Sequence, residues 1–444
     1  MMSDLKNEDR TRRQFVQTGA AGVGLGMVSG KLSARTAETL AINGGAKAVT
    51  YPEDKHTDLT KWPRFGAAEK KALHDVIDAN VFYDELPAFE KDWQEYTKSP
   101  FVKAHMNGSS AITSMYFALD LPPGSEILVP SYDFFSDCLA MRFFGCVPTF
   151  VDIDPKTACF DLDDARRKLT KNTKALVPMH AWGLPCEMDH LKSFADEKGL
   201  FLLEDAAHAH GASMQGKKMG TWGRMGIFSF QSSKPLPGIE GGMGMYQNRS
   251  DYERASAFGH YEAPVTFPAD SPVRAYEGTG FGQKYRMHPF AAAVLRSQLK
   301  GLDERNAVVA KNIRALNDRL VHLPGISEPR CRPDQDRGYY WASMMFFDES
   351  KAGFKRDAML KAILAEGVPI KTWVYPEQHK LKIYSEAKWW HHKPTISGSF
   401  AGNTEVNTTH FFLPLLHGEV PDLIDQYVKA FEKVWAHRAD LAKA

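Results

Sequence analysis

Two hydrophobic periods alternate along most of the chain. In "AAEKKALHDVIDA" and "PAFEKDWQEY" the apolar residues recur at helical spacing, which predicts two amphipathic helices between Trp62 and Pro100. Short runs rich in β-branched and aromatic residues then take over: "FVKAHM", "EILVP", "CVPTFVDID", "TKALVPMH" and "GLFLLED". Each ends in a turn, and helix-like segments such as "DLDDARRKLT" and "EMDHLKSFADEK" separate them. Strands alternating with helices of this length predict βαβ units and an α/β fold, with a mostly parallel sheet covered on both faces. Beyond Leu302 the character changes. A long charged helix, "GLDERNAVVAKNIRALNDRLVHL", precedes a predicted strand, "YYWASMMFF", and a terminal amphipathic helix, "VPDLIDQYVKAFEKVWAHRADL". The expected organisation is a large domain over residues 39–302 and a smaller α+β domain over 303–444.

Residues 1–38 stand apart. Arg12 and Arg13 precede Phe15 and a glycine- and alanine-rich, weakly apolar run from Thr18 to Gly30. This resembles a twin-arginine export signal followed by a linker, and it implies a periplasmic or otherwise exported protein; a cytoplasmic location is the alternative. The run is too short and glycine-rich for a spanning helix, so no stable membrane insertion is expected. Gly22, Gly24 and Gly26 crowd together without the spacing of a dinucleotide fingerprint.

Charge narrows the partners. With 55 Lys and Arg against 54 Asp and Glu, the chain lacks the basic excess of a nucleic-acid or polybasic membrane binder. Its five scattered cysteines contain no CxxC pair, and His208/His210 and His391/His392 have no accompanying ligand spacing, so neither disulfides nor a metal site are expected.

In open α/β sheets, ligands lie beyond the carboxyl ends of the strands. After "FVKAHM" come Gly108, Ser109 and Ser110, which open a helix and offer N–H groups, hydroxyls and a dipole to a phosphate. Simple capping uses the same residues. Asp205 closes "GLFLLED", where a buried carboxylate needs a cation. Lys234 follows Ser229 in "FSFQSSKPLPGIEGG", and a desolvated lysine loses its charge readily enough to act as nucleophile and base. Together these fit pyridoxal 5'-phosphate, which requires a lysine for its aldehyde, an acid at its ring nitrogen, a phosphate cup and an aromatic cover. Lys234, Asp205, the serines 109, 110 and 229, and Phe134 in "PSYDFFS" fill those places.

The motifs resemble the DegT/DnrJ/EryC1/StrS family of pyridoxal-phosphate-dependent sugar aminotransferases, from "LAINGGAKAV" nearly to the end of the chain. "FEKDWQEY", "GSEILVPSYDF", "PTFVDID", "VPMHAWG", "EDAAHAHGA" and the Lys234 segment carry the likeness. It implies an aspartate-aminotransferase-like fold and a homodimer with shared active sites. By resemblance Lys234 is the catalytic lysine, Asp205 the ring-nitrogen partner and His208 a neighbour of the phenolic oxygen. Lys284 stands where the family's "GxNxR" segment keeps an asparagine directed at the partner subunit's phosphate. Tyr132, His180 and Trp182 are candidates for lining an acceptor pocket, and packing is the alternative for the two aromatics. The implied reaction is ping-pong transfer of an amino group, from glutamate or glutamine, to a keto sugar or keto cyclitol. Two other readings stay open: a sugar dehydratase or lyase of the same family, and an exported binding or regulatory protein that keeps the fold without turnover. Lys234 speaks against the dehydratases, which often carry histidine at that position.

Overall fold

The carboxyl ends of six parallel strands share one edge of a seven-stranded sheet, and the fold exists around that edge. The computed structural model describes residues 38–443, so the expected export signal lies outside the described residues. The strands are β1 (Phe101–His105), β2 (Glu126–Pro130), β3 (Val147–Val151), β4 (Thr173–Leu176), β5 (Phe201–Asp205), β6 (Met225–Ser229) and β7 (Gly242–Tyr246). Their spatial order is β1-β7-β6-β5-β4-β2-β3. Only β7 runs against its neighbours. Its register explains the geometry of the edge: His105 and Ser229 both pair with Gly242, so the ends of β1 and β6 flank the start of β7.

None of the predicted strands covers β7, whose sequence is GMGMY. Glycine weakens a strand pattern, yet here glycine is required. A Cβ on Gly242 would collide with the carbonyl of Asn107, which lies against it.

Period-two alternation sends successive side chains to opposite faces. Leu128, Leu202 and Phe228 enter one core, with α2 (Glu85–Thr97), α5 (Met188–Lys198) and α7 (Pro289–Leu299). Ile127, Leu203 and Ile227 enter the other, against α3 (Gly108–Leu119) and α6 (Arg249–Gly259). The first predicted helix is α1 (Ala67–Ala79), packed on α7, and a short helix, α4 (Phe135–Leu139), follows β2.

A third core belongs to the C-terminal lobe. Strands β8 (Ile326–Ser327), β9 (Ser343–Phe347) and β10 (His410–Leu413) form an antiparallel sheet beside α9 (Arg356–Ala365) and α10 (Pro421–Ala436). Helix α8 (Leu302–Leu320) bridges the lobes, with Leu302 in the first core and Leu316 and Leu320 in the third. The described residues 38–443 cluster as one compact unit, within which the lobes keep separate cores. One difference from expectation follows. Leu40, Ala48 and Val49, assigned above to the large domain, are buried in the C-terminal lobe instead. Among the described residues, no helix is long and apolar enough to cross a membrane.

Candidate active site

The sheet edge brings most of the expected residues together. Helix α3 starts with Asn107, whose side chain accepts the N–H of Ser110 at 2.8 Å; the Ser110 hydroxyl donates to the Asn107 carbonyl at 2.8 Å. This reciprocal cap engages both the N–H and the hydroxyl of Ser110, expected above as a phosphate ligand, at the helix terminus. Gly108 and Ser109 remain, with their N–H groups at a helix N-terminus. A Cβ on Gly108 would stand 2.9 Å from the Cβ of Ser229, so glycine keeps this cradle open. Ser109 Oγ lies 2.6 Å from Ser136 Oγ, which ties the cradle to α4.

Asp205 ends β5 and is buried. Its Oδ1 accepts the N–H of Ala207 at 2.8 Å, while Oδ2 has no donor among the described residues and is available to a ring nitrogen. Phe134 caps the start of α4 and is 48% exposed, as an aromatic cover requires. Lys234 follows β6 on a turn held by its N–H to the Gln231 carbonyl, at 2.8 Å. Its amine lies 4.2 Å from the centre of the Tyr340 ring. That ring stacks on His208 at 4.0 Å, and its hydroxyl is 3.2 Å from Ser233 Oγ. His208 is buried and accepts the backbone N–H of Trp182 at 3.4 Å. Burial, with the Lys234 charge adding to it, holds the imidazole well below its ordinary pKa, so it is neutral at pH 7.

The predicted strand "YYWASMMFF" starts later than its pattern indicates, and Tyr340 lies ahead of it. Trp341 adopts a left-handed conformation (φ 61°), and the strand begins only at Ser343, so Tyr340 turns over the site. Three adjacent aromatics were the available signal, since one buried strand face cannot take them all.

Other expectations are redirected. His180 is fully buried, with Nε2 3.2 Å from Glu204 and Nδ1 accepting the N–H of Cys186 at 3.1 Å, so it supports the fold rather than lining a pocket. Tyr132 is equally buried and takes the indole N–H of Trp182 at 3.0 Å. Trp182 stacks on Tyr340 and His208. Lys284 is exposed, its backbone bridged to His260, and no hydrogen bond or ion pair joins it to the group around Lys234. Beside the site, a cavity of about 460 Å³ opens between Ser232, Ser233, Trp62, Trp341 and Lys371.

The residues present fit pyridoxal phosphate: a glycine-lined helix terminus for the phosphate, an available carboxylate oxygen and a lysine amine. A model of the DegT/DnrJ/EryC1/StrS aminotransferase family matches residues 63–431. The L-glutamine:2-deoxy-scyllo-inosose aminotransferase of Streptoalloteichus tenebrarius is 30% identical over 365 residues, 78% of this chain and 84% of that protein. The 3-amino-5-hydroxybenzoate synthase of Amycolatopsis mediterranei is 29% identical over 319 residues, 71% of this chain and 81% of its own. The crystal structure of an aminotransferase from Psychrobacter cryohalolentis superposes with a TM-score of 0.77 at 25% identity, over 86% of this chain and all of that one. Because the family match runs through every strand of both sheets described above, the chain belongs to the DegT/DnrJ/EryC1/StrS aminotransferase family and is a pyridoxal-phosphate-dependent aminotransferase.

Proposed function

We propose that the acceptor is a ketone on a cyclitol or sugar and that the amino donor is L-glutamine or L-glutamate. The observation that carries this reading is the Lys234 amine set beside Tyr340 and neutral His208, in a chain similar over 78% of its length to an L-glutamine:2-deoxy-scyllo-inosose aminotransferase.

Bound pyridoxal phosphate supplies an electron sink for the carbanion formed at the substrate's Cα. The protein supplies the remainder. Gly108 and Ser109 present N–H groups to the phosphate, and Ser229 stands against them. Asp205 would hold the ring nitrogen through its Oδ2. Lys234 would hold the aldehyde, and its free amine would move a proton to and from the substrate's Cα. His208 offers a hydrogen-bonding edge without adding charge.

Two further parts belong to this reading. Family resemblance and the exposed Phe134, Phe135 and Met106 support a homodimer whose active sites are shared, and Lys284 would act across that interface. Arg12 and Arg13 support export. The substrate test is incubation of the cofactor's amine form with 2-deoxy-scyllo-inosose and a panel of keto sugars, following the visible band of the regenerated aldehyde form. Return of the band with a cyclitol or sugar ketone is expected; return with α-keto acids alone would exclude the acceptor class. Cytoplasmic retention identical to that of an Arg12→Lys, Arg13→Lys variant would exclude export.

A further inference from the structure

Asp205 does not meet the cofactor alone. Asp133, at the end of the turn after β2, and Asp137, in α4, each bring a carboxylate oxygen to the same place, and the three oxygens lie within 4.8 Å of one another. Asp133 and Asp137 are 0% exposed and Asp205 is 3% exposed. Among the described residues no cation pairs with any of them. Asp133 Oδ1 accepts the N–H of Phe134 at 2.7 Å. Its Oδ2 and both oxygens of Asp137 have no donor at all. The backbone is held firmly in this arrangement: Gln378 Nε2 donates to the Asp133 carbonyl at 2.8 Å and the Tyr116 hydroxyl to the Asp137 carbonyl at 2.7 Å.

Three carboxylates cannot all stay ionised this close together in a dry site; their repulsion and desolvation are relieved only by protons or by a cation. The surrounding titratable groups supply no charge. Tyr116, Tyr375, Tyr384 and Cys138 are all pushed up by burial and stay neutral. The charge of Lys234 acts on His208 and His210 instead. Burial first, and the neighbouring acids second, drive both Asp133 and Asp137 well above the ordinary carboxylate range.

We propose that Asp133 and Asp137 are positioning residues, carried as neutral acids that donate hydrogen bonds within the trio, so that Asp205 alone holds the negative charge facing the cofactor's ring nitrogen. The inference rests on the pyridoxal-phosphate reading of the site.

The test compares wild type with Asp137→Asn and Asp133→Asn, variants that keep shape and donor capacity but cannot ionise. For an acid raised in the folded state, the stabilising contribution is complete below the unfolded value of about 3.9 and is lost as pH rises through the folded value. The apo protein's melting temperature should therefore fall from pH 7 to pH 10 in wild type and fall less in either variant. At pH 7, where the acid is already neutral, each variant should bind pyridoxal phosphate within about threefold of wild type, since a single added charge would shift a neighbouring equilibrium by about tenfold or more. Cofactor binding weakened about tenfold or more at pH 7 would mean that a negative charge facing the ring nitrogen had been removed, and would overturn the proposal. So would stabilisation of wild type, but not of Asp137→Asn, by Mg²⁺, Mn²⁺ or Ca²⁺, because a metal would then replace the protons. If one variant fails to fold, the other carries the test. A wild type that takes up no cofactor would defeat the pyridoxal-phosphate reading while leaving the melting profiles to judge the trio.

Discussion

Glu366 in the C-terminal lobe and Asp137 at the floor of the active site are both fully buried acids, and the fold treats them in opposite ways. Glu366 accepts the N–H groups of Ala41 at 2.7 Å and Ala48 at 2.9 Å, and it pairs with Lys433 at 2.9 Å. It staples the first described segment to α9 and α10. Asp137 has no donor and two acidic neighbours. Adjacent residues of β5 repeat the contrast. Glu204 accepts from Gly220 and Gly223 at 2.8 and 2.7 Å and meets His180, whereas Asp205 is left with an open oxygen. At an effective dielectric constant of about 20, two full charges 4.8 Å apart repel by about 3 kcal/mol, so such a cluster needs protons or a cation to persist. Buried acids with filled coordination hold the architecture together; those left short mark where a ligand arrives.

The largest effect should come from removing the group that the open acids serve. Lys234→Ala should lose transaminase turnover by on the order of a thousandfold or more, with the folded state intact by circular dichroism. Glu366→Ala is the opposite case. It strands the Lys433 amine and should cost about 3–5 kcal/mol in denaturant unfolding, while surviving protein binds cofactor as wild type does. If it instead weakened cofactor binding, the division between structural and functional acids would fail. Gly108→Ala places a methyl group 2.9 Å from Ser229 and should weaken cofactor binding about tenfold, measured by titrating the visible band.

A smaller and graded effect concerns pH. His210, pushed down to about 3 mainly by burial, binds fewer protons folded than unfolded below about 6.5. Its contribution is complete above that value and is lost as pH falls toward about 3, by up to about 1.4 kcal/mol per unit. Unfolding free energies at pH 7 and pH 5 should show this decline, reduced in His210→Phe. The acid trio acts in the opposite direction at high pH, so the two sets bracket a stability maximum.

Much of this was legible in the sequence because period-two runs ending in Asp205 and Ser229 cannot be buried strands without delivering those residues to one edge. Lys234 and Gly108 were legible for the same reason. Strand β7 was not, since its glycines answer to the chain of Asn107, a contact that no local pattern encodes. Asp133 sat in the stretch that singled out Phe134 and Asp137 directly after it, but their meaning depends on meeting Asp205 across the sheet edge. Tyr340 was hidden by a single left-handed residue, Trp341, after which the strand begins only at Ser343.

The stacked arrangement of Trp182, Tyr340 and His208 has an optical consequence. The indole of Trp182 lies 5.7 Å from the His208 ring and 5.8 Å from the Tyr340 ring that faces the Lys234 amine. A bound chromophore absorbing in the near ultraviolet would drain its excitation, so indole emission should dim as cofactor enters and brighten as it leaves. Trp182→Phe would reduce that signal. The protein thus contains a built-in fluorescent gauge of its own cofactor loading.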